Sequence, residues 1–187
     1  AAGTRDRLMT DGAKNGAERP LAWWRSGRGG GAAYSAVLCA VVLAVAGVVG
    51  LVLRQPWLFP SLGPTVMLFF SAPRQPSSRP RNALVGHVVG LAAGYGAYLA
   101  FGLVGSPSAP AGGLTPRYLL AAVVAVAVTT LVLHLLGMQH PPAGATTLIV
   151  ALGILATPVA VLDMLGAVVL ITVVGWGLNR LLLGSRR

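Results

Sequence analysis

Most of the residues that could do chemistry sit in two short stretches. They are Phe59-Pro60-Ser61-Leu62-Gly63-Pro64-Thr65 and Gln139-His140-Pro141-Pro142-Ala143-Gly144-Ala145-Thr146-Thr147. Both lie in apolar surroundings, and both are broken by proline, which lacks an amide donor and clashes with the turn before it. Neither can be one continuous helix. An extended approach followed by a short helix fits each, with Pro64 or Pro142 near the first turn, where proline is tolerated. A helix N-terminus carries about +0.5 charge and several unpaired amides, so it attracts small anions and repels cations. Ser61, Thr65, Thr146 and Thr147 add hydroxyl donors, while Gly63, Pro64, Pro141, Pro142 and Gly144 shape the two turns. The substrate this chemistry predicts is a small anion, or a neutral species that needs protons kept out.

The other polar residues admit a working role and a plain one. His140 can gate, bind an anion when protonated or shuttle a proton near neutral pH; otherwise it caps and orients its loop. His87 and His134 lie in long apolar segments, where a histidine hydrogen-bonds a neighbouring helix or joins a proton relay. Asp163 is the one acid outside the N-terminal tail, and an acid within a membrane segment is expected to pair with an Arg or His or to relay protons. Arg81 and Asn82 open a long segment; Arg81 serves either to draw anions to a cytoplasmic mouth or to anchor the helix. Three histidines without a nearby Cys or Glu match no zinc spacing. Paired carboxylates, a nucleophile elbow and a phosphate loop are all missing. No metal, no cofactor and no enzyme activity are expected.

The elements that position these residues follow from the apolar pattern. Of the 187 residues, 55% are hydrophobic and 10% charged, against about a quarter charged in a soluble domain. Four long apolar segments run roughly over 33–53, 82–104, 117–137 and 159–183, each near the length of about 20 residues needed to span a bilayer. The broken stretches occupy about 57–70 and 138–156. This predicts an all-α integral membrane protein with four long and two short membrane helices. Residues 1–32 read as a flexible cytoplasmic tail, in which Trp23 and Trp24 with Arg25 and Arg28 can rest at the headgroups; 184–187 form a basic C-terminal tail. No cleavable signal peptide is expected. Cys39, the single cysteine, is read as a small hydrophobe.

The two broken stretches can be laid on one another at an offset of about eighty residues, Gly63 on Gly144 and Thr65 on Thr146. The same shift superposes the long segments, so the membrane domain 33–183 reads as two copies of long helix, broken segment, long helix, about 33–104 and 115–183. Charge sets the topology. If each broken segment crosses, Arg74, Arg79, Arg81, Arg180 and both tails share one side, leaving only Arg54 and Arg117 opposite. The positive-inside rule then favours six crossings with both termini cytoplasmic, in a bacterial plasma membrane, and makes the copies inverted. Both short helices would aim their N-termini at the midplane. The net charge of +10 is thus topological, and no basic face with interleaved aromatics points to nucleic acid. Gly86, Gly90 and Gly94 form a ridge for close helix approach, within the chain or between copies. So thin a bundle is expected to form a homo-oligomer in the lipid bilayer.

These residues carry a resemblance. His140-Pro141-Pro142-Ala143-Gly144-Ala145 looks like the signature of the HPP family of integral membrane proteins. The stretches Ser61-Leu62-Gly63-Pro64-Thr65, Ser71-Ala72-Pro73, Pro80-Arg81-Asn82 and Gly86-His87 resemble that family too, in order, over about 34–183. The resemblance implies a small multi-helix membrane protein, usually described with four spanning helices; plant and cyanobacterial relatives are associated with nitrite transport. Two departures stand out. Pro64 replaces a small residue such as Ala, and Ser78-Arg79 replaces Ala-Gln before Pro80. The expected function is a channel or transporter for a small, nitrite-like anion. The alternatives are a neutral-solute or cation pathway, or a structural or regulatory membrane subunit.

Overall fold

The computed structural model describes residues 28–183; the N-terminal tail through residue 27, with Trp23, Trp24 and Arg25, and the basic tail 184–187 lie outside the described residues. Two units divide the chain, 1–34 and 35–187. The first contributes only the opening turns of α1 to the described residues, and the second holds every other element. Seven helices make up the described residues: α1 (Arg28–Leu53), α2 (Leu62–Ser71), α3 (Pro80–Ala100), α4 (Ala109–Gly112), α5 (Pro116–Leu135), α6 (Pro142–Ala151) and α7 (Pro158–Leu183), with a 3-10 turn at Pro76–Ser78. No strand occurs among them. Four helices are long and apolar enough to cross a bilayer, and α2 and α6 are shorter apolar helices. The molecule is an all-α integral membrane protein.

Proline starts four of these helices. Pro80, Pro116, Pro142 and Pro158 each occupy the first position, where the missing amide has no intrahelical partner to lose. Glycine ends two of them. Gly137 and Gly153 sit at φ +62° and +75°, just beyond α5 and α6. There the amides of Met138 and Ile154 return to the carbonyls of Leu133 and Ile149, both at 3.0 Å, closing each helix in a left-handed cap. α1 begins at Arg28, inside the stretch 1–32 read from sequence as a tail. The single turn α4 has too little apolar periodicity to be read from sequence.

The chain after α1 turns back into the bundle. Leu58 sits against Gly47, with its Cδ1 3.3 Å from where a Gly47 Cβ would stand. Gly47 precedes the end of α1 by six residues, about 9 Å along its axis, so the extended stretch re-enters the apolar layer before α2 begins.

The glycine ridge of α3 lies against α6. A Cβ at Gly86 would meet the His140 Cβ at 2.8 Å, at Gly90 the Ala143 carbonyl at 2.8 Å, and at Gly94 the Thr147 carbonyl at 2.8 Å. The ridge therefore serves packing within the chain. α5 flanks both α3 and α6, and α7 flanks α2 and α3. At one end of the bundle Tyr98, Tyr118, Ala121, Ala125 and Ala151 form a buried cluster, and the Tyr118 hydroxyl donates to the Pro107 carbonyl at 2.8 Å. Large apolar side chains such as Leu51, Val123, Leu131 and Val173 remain exposed, as on a surface solvated by lipid.

Candidate functional site

The N-cap of α2 meets the fifth residue of α6, and the reason is local. Ser61 occupies the N-cap of α2 but makes no side-chain cap bond. The third helical position, whose amide an N-cap serine usually accepts from, is Pro64 and has none. The freed hydroxyl is bonded instead to Thr146 Oγ1, 2.8 Å away and 85 residues along the chain.

From that contact a polar network runs through the apolar interior. Thr146 Oγ1 lies 2.7 Å from His87 Nδ1. His87 Nε2 lies 2.9 Å from Thr65 Oγ1, and Thr65 Oγ1 lies 3.2 Å from His140 Nε2 and 3.1 Å from the Ser61 carbonyl. His140 Nδ1 sits 2.8 Å from the Ser77 carbonyl; a carbonyl only accepts, so this nitrogen carries a proton. The two imidazoles meet edge to face with centroids 5.1 Å apart. Ser61, Thr65, His87 and Thr146 are 0% exposed and His140 2%. Polar groups so deeply buried persist only when bonded, and every one of these is.

The other residues singled out by sequence fall into three places. Thr147 faces away from the network; its hydroxyl donates to the Ala143 carbonyl at 2.9 Å and pairs with Thr129 Oγ1 at 2.9 Å. Gly63, Pro64, Pro141 and Gly144 lie on the partly open flanks of the two helix starts, whereas Pro142 is buried. Nothing stands within 4 Å of a Cβ built on Gly63 or Gly144. A cavity of about 210 Å³ opens between α5 and the start of α6, lined by Thr130, His134, Gln139, His140 and Gly144 among others.

His134, by contrast, is exposed and accepts from Gln139 Nε2 at 3.1 Å, so it stands outside the buried network. Arg81 is exposed. Asn82 is buried, and its amide donates to the Gln139 carbonyl at 3.4 Å. With the His140–Ser77 contact, this holds the 72–82 loop beside the 138–140 corner. Among the described residues, Asp163 pairs with no Arg or His. Its Oδ1 accepts from Trp57 Nε1 at 3.3 Å, and its Oδ2 is buried without a partner.

The amides at the helix starts are also less free than the sequence suggests. Those of Leu62, Ala143 and Gly144 bond the carbonyls of Phe59, His140 and Pro141 at 2.9–3.0 Å, because each short helix opens with a tight turn. Sequence reasoning missed Ser77, Thr129 and Trp57. Each is an ordinary residue in its own segment and gains its role from a partner far along the chain.

A bundle of apolar helices in which two short helices are joined by a buried polar network defines a class of helical membrane proteins with a buried polar core. Comparison with known families gives the particular one. The model of the HPP transmembrane region matches residues 26–187, and the chain belongs to the HPP family. No curated protein and no solved structure matches it.

Proposed function

We propose that this protein is a channel or transporter for a small, nitrite-like anion, with its site where the N-cap of α2 meets the fifth residue of α6. The observation that carries this reading is the Ser61–Thr146 contact of 2.8 Å, which sets two helix starts side by side inside the bundle. Their positive dipole ends favour an anion, and hydroxyl and imidazole groups supply neutral donors. The single acid among the described residues, Asp163, is bonded to Trp57 and belongs to no part of the network.

The network is closed upon itself, so a solute enters by replacing the Ser61–Thr146 bond. In the same proposal the long–short–long order of α1 to α3 and of α5 to α7 is an inverted repeat with six crossings. Both termini are cytoplasmic, and the chain works as a homo-oligomer by transport rather than catalysis.

Proteoliposomes carrying the protein should take up nitrite faster than empty ones. Thr146→Val, which keeps the shape and removes the hydroxyl, should slow uptake about tenfold, the loss of one buried donor worth about 1–2 kcal/mol; His134→Ala should leave it unchanged. Uptake equal to that of empty vesicles for nitrite, nitrate, formate and chloride refutes the reading.

A further inference from the structure

The geometry points to a single-file proton relay, Thr146–His87–Thr65–His140, in which one proton gained at Thr146 is carried as a charge on His140. The argument is a count of donors. Each hydroxyl has one proton to give, and a neutral imidazole has one N–H and one bare nitrogen. His140 Nδ1–H is committed to the Ser77 carbonyl. If His140 is neutral, its Nε2 must accept, and the group in reach is the Thr65 hydroxyl at 3.2 Å. Thr65 then has no proton left for His87, so His87 Nε2 carries the N–H and donates to Thr65 across 2.9 Å. His87 Nδ1 is then bare and accepts from Thr146 at 2.7 Å. Every bond from Thr146 onward points toward Ser77. Were Thr65 to donate to the Ser61 carbonyl instead, His140 Nε2 would have nothing to accept.

A second state satisfies the same contacts with every arrow between Thr146 and His140 reversed, and the Thr146 hydroxyl then donates to Ser61 Oγ at 2.8 Å, the direction the structure records. A proton arriving on Thr146 Oγ1 displaces the Thr146 proton to His87 Nδ1. His87 releases its Nε2 proton to Thr65, and Thr65 passes its own to His140 Nε2. Three O–H or N–H bonds break, and each proton forms one new bond at the next atom. The added charge ends on the His140 imidazolium, which then holds two N–H groups, while His87 stays neutral and changes tautomer. The two states differ by one proton and by no heavy-atom movement.

The relay has unequal ends. His140 lines the cavity of about 210 Å³ beside α5, where water can exchange its proton. Thr146, at 0% exposure and donating to Ser61 Oγ, closes the other end in this conformation. Titratable groups on the elements around His140 are Arg81, His87, Tyr95 and Tyr98 on α3, and Arg117, Tyr118 and His134 on α5; α2 carries none. Arg74 and Arg79 flank the 3-10 turn that supplies the Ser77 carbonyl. Of these groups, His87 meets His140 edge to face and His134 lines the same cavity. This inference does not rest on the transport reading, because the network exchanges a proton whatever solute crosses.

The test uses the full chain in nanodiscs with ¹⁵N-histidine labelling, titrated by NMR. Only three histidines are present, and His134→Gln removes the exposed one to fix the assignment. On acidification His140 should become an imidazolium. At the same midpoint the two nitrogens of His87 should exchange their protonated and bare resonance positions, with no charge gained. Thr65→Val should uncouple them, so that His140 titrates while His87 keeps its tautomer, and Thr65→Ser should restore the coupling. His87 becoming an imidazolium itself, holding one tautomer throughout the wild-type titration, or still following His140 in Thr65→Val each overturns the relay. None of these readouts involves solute flux, so they separate this inference from failure of the transport assay.

Discussion

Replacing Gly90 by alanine tests how α6 is held against α3. A Cβ there would stand 2.8 Å from the Ala143 carbonyl oxygen and 2.9 Å from Thr147 Oγ1. Ordinary contact begins at about 3.4 Å, so the new atom is short by about 0.6 Å (3.4 − 2.8). The nearest obstacle is backbone and cannot rotate away. The helices must part, or the Thr147 hydroxyl must leave Thr129. Overpacking of this kind costs about 1–3 kcal/mol, against a gain of about 1 kcal/mol from replacing glycine in a helix.

Gly96 supplies the control on the same helix, since nothing lies within 4 Å of its Cβ and it is exposed. The propensity gain cancels between the two variants. Gly90→Ala should therefore be less stable than Gly96→Ala by about 1–3 kcal/mol, which is about a 5- to 160-fold difference in unfolding equilibrium constant. Reversible unfolding in mixed detergent micelles, followed by tryptophan fluorescence, measures it. Equal stabilities would show that α3 and α6 do not meet along the ridge, and the placement of His140 and Thr146 against His87 would fall with it.

Two further outcomes follow from the same contacts. Gly153→Ala forces an L side chain into φ +75° and puts its Cβ 3.0 Å from the Tyr118 hydroxyl; it should lose more stability than Gly137→Ala, which bears the left-handed strain of about 1–2 kcal/mol in open space, and equal losses in the unfolding assay would count against the Tyr118 contact. Trp57→Phe removes the donor to Asp163 Oδ1 and leaves both carboxylate oxygens without a partner, so it should destabilise by about 1–3 kcal/mol, whereas an unchanged unfolding midpoint would show that the carboxylate is solvated.

The helices were legible because lipid imposes a simple grammar. Segments of about 20 apolar residues must be helical to satisfy their own backbone, and proline and glycine mark where they start and stop. Hence Pro80, Pro116, Pro142 and Pro158 fall within about two residues of the expected boundaries. The interrupted segments were legible for the same reason, and with them Ser61, Thr65, His140 and Thr146. Which residues would answer them was not. Thr129 is one threonine in an apolar helix, and its link to Thr147 depends on how α5 leans on α6. The Ser77 carbonyl is a backbone group that no side-chain pattern marks. His87 was one of three isolated histidines until the fold set it between Thr65 and Thr146. Asp163 misled because tryptophan is read as a membrane anchor first and as a donor second.

The 3-10 turn at Pro76–Ser78 has a mechanical consequence. Its Ser78 hydroxyl is hydrogen-bonded to the carbonyls of Leu68 and Ala72, at 2.9 and 2.7 Å, in the last turn of α2, while the neighbouring Ser77 carbonyl grips the ring that precedes α6. One short strap thus ties the trailing end of the first half-helix to the leading end of the second. Any tilt of either must drag the strap, and with it the guanidinium groups of Arg74 and Arg79 that project beside it. A rearrangement buried in the apolar layer would in this way be felt at the water boundary, where salt, lipid headgroups or a neighbouring protein could push back.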